Sequence, residues 1–319
     1  MTDSQHAVVP SDEARHTPDP DDLWNESYYC DFVQADGSLG GWLRLGLYPN
    51  RRVAWWTAWI VRPGLPGIAS FDYRAPVPPG DGLVTTTTTH EDSRIEIDLR
   101  RPLEEFRLAV DTPGLSVAPH SLSYDESGWT PTRFDVDLTW TTDGFPYHYV
   151  VTTRYEIPCL VTGTATIDGV THTIDGQGQR DHSWGVRDWW AFGWCWCSLR
   201  LHDGTRIHLT DIRFPNASAF FGYIQTPNTG AVHPITALSV NEQLGAHGFP
   251  TRVRIELAAA PAHDIGLDVT PVAVGPVLLR DDVSGRTSRF PRAMLECTTD
   301  DGRTGAGWIE FNQPDPDPG

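Results

Sequence analysis

The densest collection of reactive side chains falls between Asp175 and Trp190. The run Gly176-Gln177-Gly178-Gln179-Arg180-Asp181-His182-Ser183-Trp184-Gly185 sets charged groups beside an indole, and Arg187, Asp188, Trp189 and Trp190 follow at once. That mixture suits a polar cluster at the mouth or floor of an apolar cavity. Burial near indole rings raises a carboxyl pKa and keeps the acid neutral, whereas an opposing Arg lowers it, so the sign is open. The same residues also suit a structural role, with Arg180, Asp181, Arg187 and Asp188 forming ion pairs that lock two lobes together. A second cluster is His208-Leu209-Thr210-Asp211, on a strand-like run after the His202-Asp203-Gly204 turn. Side chains alternate along a strand, so Ile207, Leu209, Asp211 and Arg213 share one face. An inward Asp is costly unless paired, which makes Asp211 a functional candidate; a salt link to Arg213 is the alternative.

Other chemistries lack their signatures. There is no Gly-x-Ser-x-Gly elbow, phosphate loop or dinucleotide fingerprint, and Gly176-x-Gly178 lacks the third Gly. Ser183 follows His182 directly, and such neighbours on a strand face opposite ways, so a serine hydrolase is unsupported. Histidines 120, 148, 172, 233, 247 and 263 are too scattered for a metal cluster. The five Cys fit neither a disulfide framework nor a zinc pattern, and Cys195 and Cys197 read as buried free thiols on one strand face.

The elements that must position these residues are strands. Ser93–Leu99, Arg133–Trp140 and Arg252–Leu257 alternate polar and apolar residues, the mark of strands with one buried face. Turns containing Asp36-Gly37, Asp143-Gly144, Asp168-Gly169, Asp203-Gly204 and Asp301-Gly302 separate the runs, and Asp-Gly supplies the positive φ of tight hairpins. Sustained helical periodicity is missing, and 26 Pro and 29 Gly argue against long helices. A short helical turn near 185–190 is the exception expected. No internal sequence repeat stands out.

The 319 residues fit two lobes, each large enough to bury a core. Many hairpins over that length predict an all-β chain of two antiparallel barrels or sandwiches, with the boundary near 159–170. The domains expected are a disordered tail at 1–22, barrels at 23–165 and 166–312, and a second tail at 313–319. Thirteen Trp suit sheets packed around a cavity or an aromatic-rich core. A net charge of −18 repels nucleic acid and anionic membrane surfaces. No stretch approaches the ~18 apolar residues of a membrane helix, and the N-terminus has no signal-peptide pattern, so a cytoplasmic location is expected.

Several of these runs resemble the carotenoid hydratase (hydroxyneurosporene synthase) family. His182-x-Trp184 followed by Asp211 is similar to its His-x-Trp and Tyr-x-Asp signatures, with Leu209 where the family has Tyr. Trp24–Tyr29, Gly40–Asn50 and Gly305–Glu310 resemble the opening and closing strands of an uncharacterised actinobacterial branch, so the likeness spans roughly residues 23 to 312. The resemblance implies two tandem lipocalin-like barrels with few short helices, and relatives that include fungal Diels–Alderases. It implies Asp211 as proton donor to a double bond, with aromatic residues shielding the cation; independently of the family, such chemistry needs a relay, a part His182 suits, and π faces, a part Trp184 with Trp189 or Trp190 suits. Trp189, Trp190, Trp194, Trp196 and Leu209 would line the substrate site. The expected function is a cofactor-independent lyase, hydratase, dehydratase or isomerase, acting on a hydrophobic isoprenoid or polyketide-like ligand. The missing phenol at position 209 argues against carotenoid hydration itself. A pericyclase-like enzyme and a non-catalytic carrier are the alternatives. No metal or other cofactor is required, and the oligomeric state is left open.

Overall fold

The computed structural model describes residues 7–79, 86–227, 231–261 and 263–315. They form two compact units. The first holds the described residues up to Arg187, except Val61–Gly64 and His120–Ser127, which group with Asp188 and the residues after it.

The strands of the first half are β1 (Trp24–Gln34), β2 (Gly40–Tyr48), β3 (Val53–Arg62), β4 (Leu65–Pro76), β5 (Thr86–His90), β6 (Ser93–Arg101), β7 (Glu105–Val117), β8 (Thr130–Thr142), β9 (Tyr147–His148), β10 (Arg154–Ile167) and β11 (Val170–Val186). Eight of them close into an antiparallel barrel in the order β4-β3-β2-β1-β11-β10-β8-β7, with β7 pairing back to β4. The second half supplies β12 (Gly193–Leu201), β13 (Arg206–Phe214), β14 (Ala217–Gln225), β15 (Val232–Leu244), β16 (Pro250–Ala259), β17 (His263–Val274), β18 (Val277–Arg280), β19 (Thr287–Phe290), β20 (Arg292–Thr299) and β21 (Thr304–Pro314). Its barrel runs β12-β13-β14-β15-β16-β17-β20-β21 and closes through β21 on β12. Closure removes exposed sheet edges, as the tandem lipocalin-like expectation required. The helices among the described residues are three short 3₁₀ turns, at Pro10–Glu13, Pro119–Ser121 and Ala246–Gly248. The helical turn expected near 185–190 is absent there, where β11 runs on to Val186.

The alternating runs became half-buried strands. In β8, Phe134, Val136, Leu138 and Trp140 point inward while their neighbours are more exposed. Each barrel has its own apolar interior, with Phe32, Trp56 and Phe134 in the first and Cys195, Cys197, Leu209 and Leu267 in the second. All five Cys are free and buried.

The boundary expected at 165/166 falls inside the β10–β11 hairpin. Asp168 and Gly169 both take positive φ, 51° and 77°, and Ile167 pairs directly with Val170. This two-residue loop folds β11 back between β10 and β1, which completes the first barrel, so the units divide at 187/188. The expected N-terminal tail is also corrected over its described part. Residues 7–22 include the 3₁₀ turn, and Glu13 there is 5% exposed. Residues 313–315 of the C-terminal tail likewise belong to or follow β21, and residues 1–6 and 316–319 lie outside the described residues.

Candidate functional site

Period-two geometry builds the site from three adjacent strands of the first barrel. On β1 the inward residues include Glu26, Tyr28, Cys30 and Phe32; on β11, Arg180, His182 and Trp184; on β10, Tyr155, Ile157 and Cys159. The register aligns Glu26 with Trp184, Tyr28 with His182 and Tyr155, and Cys30 with Arg180 and Ile157. Glycines let β11 approach β1: a Cβ on Gly178 would lie 1.9 Å from the Asp31 carbonyl oxygen, and one on Gly176 would lie 2.2 Å from that of Val33. The Gly176-x-Gly178 spacing is thus a strand-contact feature.

Glu26 is the centre of a triad with the buried His182 and the half-buried His16. Its Oε1 meets His182 Nε2 at 2.6 Å and His16 Nδ1 at 2.9 Å, and Oε2 accepts the His16 backbone N–H at 2.8 Å. Burial pushes the Glu26 carboxyl up, but the hydrogen bonds from His16 and His182 outweigh it and hold the pKa below 4.5. The His16 ring stacks on Trp184 at 3.6 Å and 6°. The Tyr28 ring stacks on His182 at 4.5 Å.

On its other side, His182 Nδ1 lies 3.2 Å from the Tyr155 hydroxyl. That hydroxyl donates to Glu13 Oε1 at 2.9 Å. The same Glu13 oxygen pairs with Arg180 Nη1, while Glu13 Oε2 accepts the Leu103 N–H at 2.9 Å. Burial and then the Glu13 charge push the Tyr155 phenol well above its ordinary pKa, so it stays protonated. The Tyr28 phenol is raised too, by burial and then Glu26.

These groups border a cavity of about 450 Å³, counting its part open to solvent. Glu13, Arg15, Tyr28, Tyr155, Arg180, Asp181 and His182 supply its polar wall; Cys30, Ile97, Leu99 and Phe106 supply the apolar one. A few polar groups converging on an apolar concavity suit a small-molecule site.

His16, Glu26 and His182 bring three possible metal-ligand atoms within 4.8 Å of one another. Their contacts of 2.6 and 2.9 Å are hydrogen-bond lengths. Two ligands each about 2.1 Å from a tetrahedral zinc would stand about 3.4 Å apart. The spacing therefore fits a proton-sharing triad better than a ligand set.

The sequence-predicted residues divide between the units. His182, Trp184 and Arg180 belong to the site just described. Asp181 borders the cavity, but its carboxylate is held by Arg154 Nη2 at 2.7 Å. Arg154 also bonds Glu156 at 2.8 Å. Arg187 is half-buried, and desolvation together with Arg154 lowers its pKa to about 10. Asp188 pairs with Arg286 at 3.0 Å inside the second unit. Arg180 and Asp181 do not pair, because consecutive residues on a strand face opposite ways; Arg187 and Asp188 lie past the end of β11, where Asp188 pairs with Arg286 instead.

The remaining candidates lie in the second unit. Trp189 and Trp194 pack with Phe290. The Trp190 indole N–H donates to the Leu279 carbonyl at 3.4 Å, and the Trp194 N–H donates to Glu310 at 2.8 Å. Trp196 packs on His208, and Leu209 is part of the apolar interior. Asp211 shares the Leu209 face, but Arg213 Nε bonds it at 2.9 Å and reaches on to Glu242, the alternative the sequence allowed. The carboxylate that meets His182 is Glu26.

Sequence reasoning missed Glu13, Arg15, His16, Glu26, Tyr28 and Tyr155. For Glu26 a signal existed: Glu26-x-Tyr28-x-Cys30-x-Phe32 puts one carboxylate on an otherwise apolar strand face, the rule applied to Asp211. Glu13 and His16 sit in a Pro-rich acidic stretch with no local pattern.

A family model described as "Domain of unknown function (DUF7064)" matches residues 9–315. No curated protein matches the sequence. Solved structures match over nearly the whole chain at low identity. A candidate AttH protein from Nitrosomonas europaea is 15% identical, with a TM-score of 0.65 and 97% of each chain covered. CghA with Sch210972 is 12% identical, with a TM-score of 0.57, covering 99% of this chain and 98% of that one. Kievitone hydratase from Nectria haematococca is 11% identical, with a TM-score of 0.58, covering 98% and 94%. These matches bear out the tandem lipocalin-like fold. Among the described residues no helix is long and apolar enough to cross a membrane.

Proposed function

The chain belongs to the DUF7064 family, and from that premise we propose that its first barrel houses an acid–base site for a hydrophobic small molecule. The reaction class is lyase or isomerase chemistry, the addition or elimination of water or movement of a double bond. Isoprenoid or polyketide-like compounds are the proposed substrates. A hydratase, kievitone hydratase, shares the fold, which suits this class. One observation carries the reading: Glu26, His182, Tyr155 and Glu13 form a continuous hydrogen-bonded chain, of which His182, Tyr155 and Glu13 border the cavity.

In the acid-loaded state His182 carries both ring protons, one toward Glu26 and one toward Tyr155. In the dehydrating direction Tyr155 gives its proton to a departing hydroxyl, and His182 Nδ1 refills the phenol. Water leaves, and the adjacent C–H proton returns to the relay, so no proton is consumed overall. Hydration is the reverse. The ring faces of Tyr28 and Phe106 stabilise positive charge developing on carbon. Positioned proton transfer of this kind contributes about 10²–10⁴-fold in rate. In this reading the proton donor is Tyr155, and Asp211 has a structural role.

The test begins with mass spectrometry of the ligand retained by protein purified from its native host. Turnover of that ligand should fall about 10²–10⁴-fold in Glu26→Gln and in Tyr155→Phe, with circular dichroism unchanged. Unchanged turnover in both variants would leave a carrier or a pericyclase as the better reading.

A further inference from the structure

We infer that the first-barrel cavity takes a hydrophobic carboxylic acid, its carboxylate gripped by the Nε–Nη2 edge of Arg180. The inference rests on the reading of that cavity as the substrate site and names the class of compound it admits.

Arg180 is 3% exposed and lines the cavity. Its Nη1 is used by Glu13. Its Nε and Nη2 are buried and have no hydrogen-bond partner among the described residues. A guanidinium does not shed its proton, so these N–H groups cannot escape the need for acceptors by titrating. Leaving a buried charged donor unsatisfied costs more than leaving a neutral one unsatisfied.

The unpaired atoms are also a matched pair. Nε–H and one Nη2–H point in parallel from the same edge of the guanidinium, the fork that receives two carboxylate oxygens side by side. Phe106, also on the cavity wall, has its ring 5.5 Å from Arg180 Cζ, which restrains the guanidinium plane. The neighbouring thiols of Cys30 and Cys159 do not compete as anions, because burial pushes both up, Cys159 to about 12. Arg15 on the same wall adds a second positive charge beside Arg180. Arg180 and Tyr155 bond the same Glu13 oxygen, which sets the fork beside the proposed proton donor.

Isothermal titration of the full chain with hexanoate, benzoate and cinnamate, each against its amide and alcohol, tests the inference. At least one acid should bind about tenfold or more tightly than its amide and alcohol. Arg180→Lys keeps a charge for Glu13 but lacks the fork, and should remove the preference for the acid over its amide and alcohol. A readout needing no variant is the Arg Nε–H region of a ¹H–¹⁵N spectrum, where one buried resonance should move downfield with the acid and not with the amide. Equal binding of acid and amide, a preference that survives Arg180→Lys, or no binding by any acid overturns the inference. Acid binding needs no turnover, so the two readings fail separately. A Glu26→Gln protein that turns over normally yet prefers acids loses only the relay. A wild-type protein indifferent to acids, but inactivated by Glu26→Gln, loses only the carboxylate grip.

Discussion

His182 Nε2 stands 2.6 Å from Glu26 Oε1, although 156 positions separate the two residues in the chain. The contact exists because β11 returns to pair with β1 and closes the barrel, setting inward residues of the two strands against each other. It joins a carboxylate held ionised to an imidazole whose second nitrogen faces a phenol.

The pH dependence of stability follows from that carboxylate. The hydrogen bonds from His16 and His182 hold the folded Glu26 carboxyl below the ordinary glutamate range. A depressed acid contributes stability that is fully present above its unfolded pKa and is lost as pH falls through the folded one. Urea denaturation should show wild type more stable than Glu26→Gln at pH 7. The gap should close as pH drops below about 4.5. A gap that stays constant down to pH 3 would mean that Glu26 is not ionised in the native state.

Glu13 should matter far more than its place in a Pro-rich N-terminal stretch suggests. Its removal leaves Arg180 buried without its carboxylate. Breaking one side of a buried ion pair costs about 3–5 kcal/mol. Glu13→Ala should lose that much by urea denaturation, and deletion of residues 1–17 at least as much. A deletion with unchanged stability would restore the tail reading.

Asp211 should prove dispensable for turnover. It is half-buried, with 17% of its side chain exposed beside the 33% exposed Arg213. Partly exposed ion pairs of this kind contribute about 1 kcal/mol or less. Asp211→Asn should therefore shift the denaturation midpoint slightly and leave kcat intact. A loss of 10²-fold or more in kcat without unfolding would return the proton-donor role to this residue.

Gly178 should tolerate no side chain. With the Asp31 carbonyl oxygen 1.9 Å from where a Cβ would stand, Gly178→Ala must push β11 away from β1. Overpacking typically costs about 1–3 kcal/mol, and a clash with backbone belongs at or above the top of that range. Thermal unfolding of Gly178→Ala measures it, and a change below about 0.5 kcal/mol would show that the strands are not held this close.

Much of the architecture was legible because its causes are local. Alternation in Arg133–Trp140 names the inward residues of β8 without knowledge of any partner strand. Asp203-Gly204 and Asp301-Gly302 mark hairpins because a positive φ is a property of the residues themselves, and Gly204 and Gly302 take 90° and 86°. Cys195 and Cys197 could be read as buried thiols from their place on a strand. The same local reasoning read Asp168-Gly169 correctly as a hairpin turn but set the domain boundary beside it, since a tight turn looks alike within a barrel and between two.

The sequence by itself determined the all-β character, the strand faces, the turns and the placing of His182, Trp184 and Arg180 on one face of β11. Only the tertiary structure decided what those faces meet. Glu26 rather than Asp211 is the carboxylate at His182, Glu13 and His16 come in from the N-terminal stretch, and Arg180 keeps one edge unbonded. The physical reason is range. Strand periodicity and turn geometry act over a few residues, whereas a buried charge finds its partner through barrel closure, which brings together positions more than a hundred residues apart.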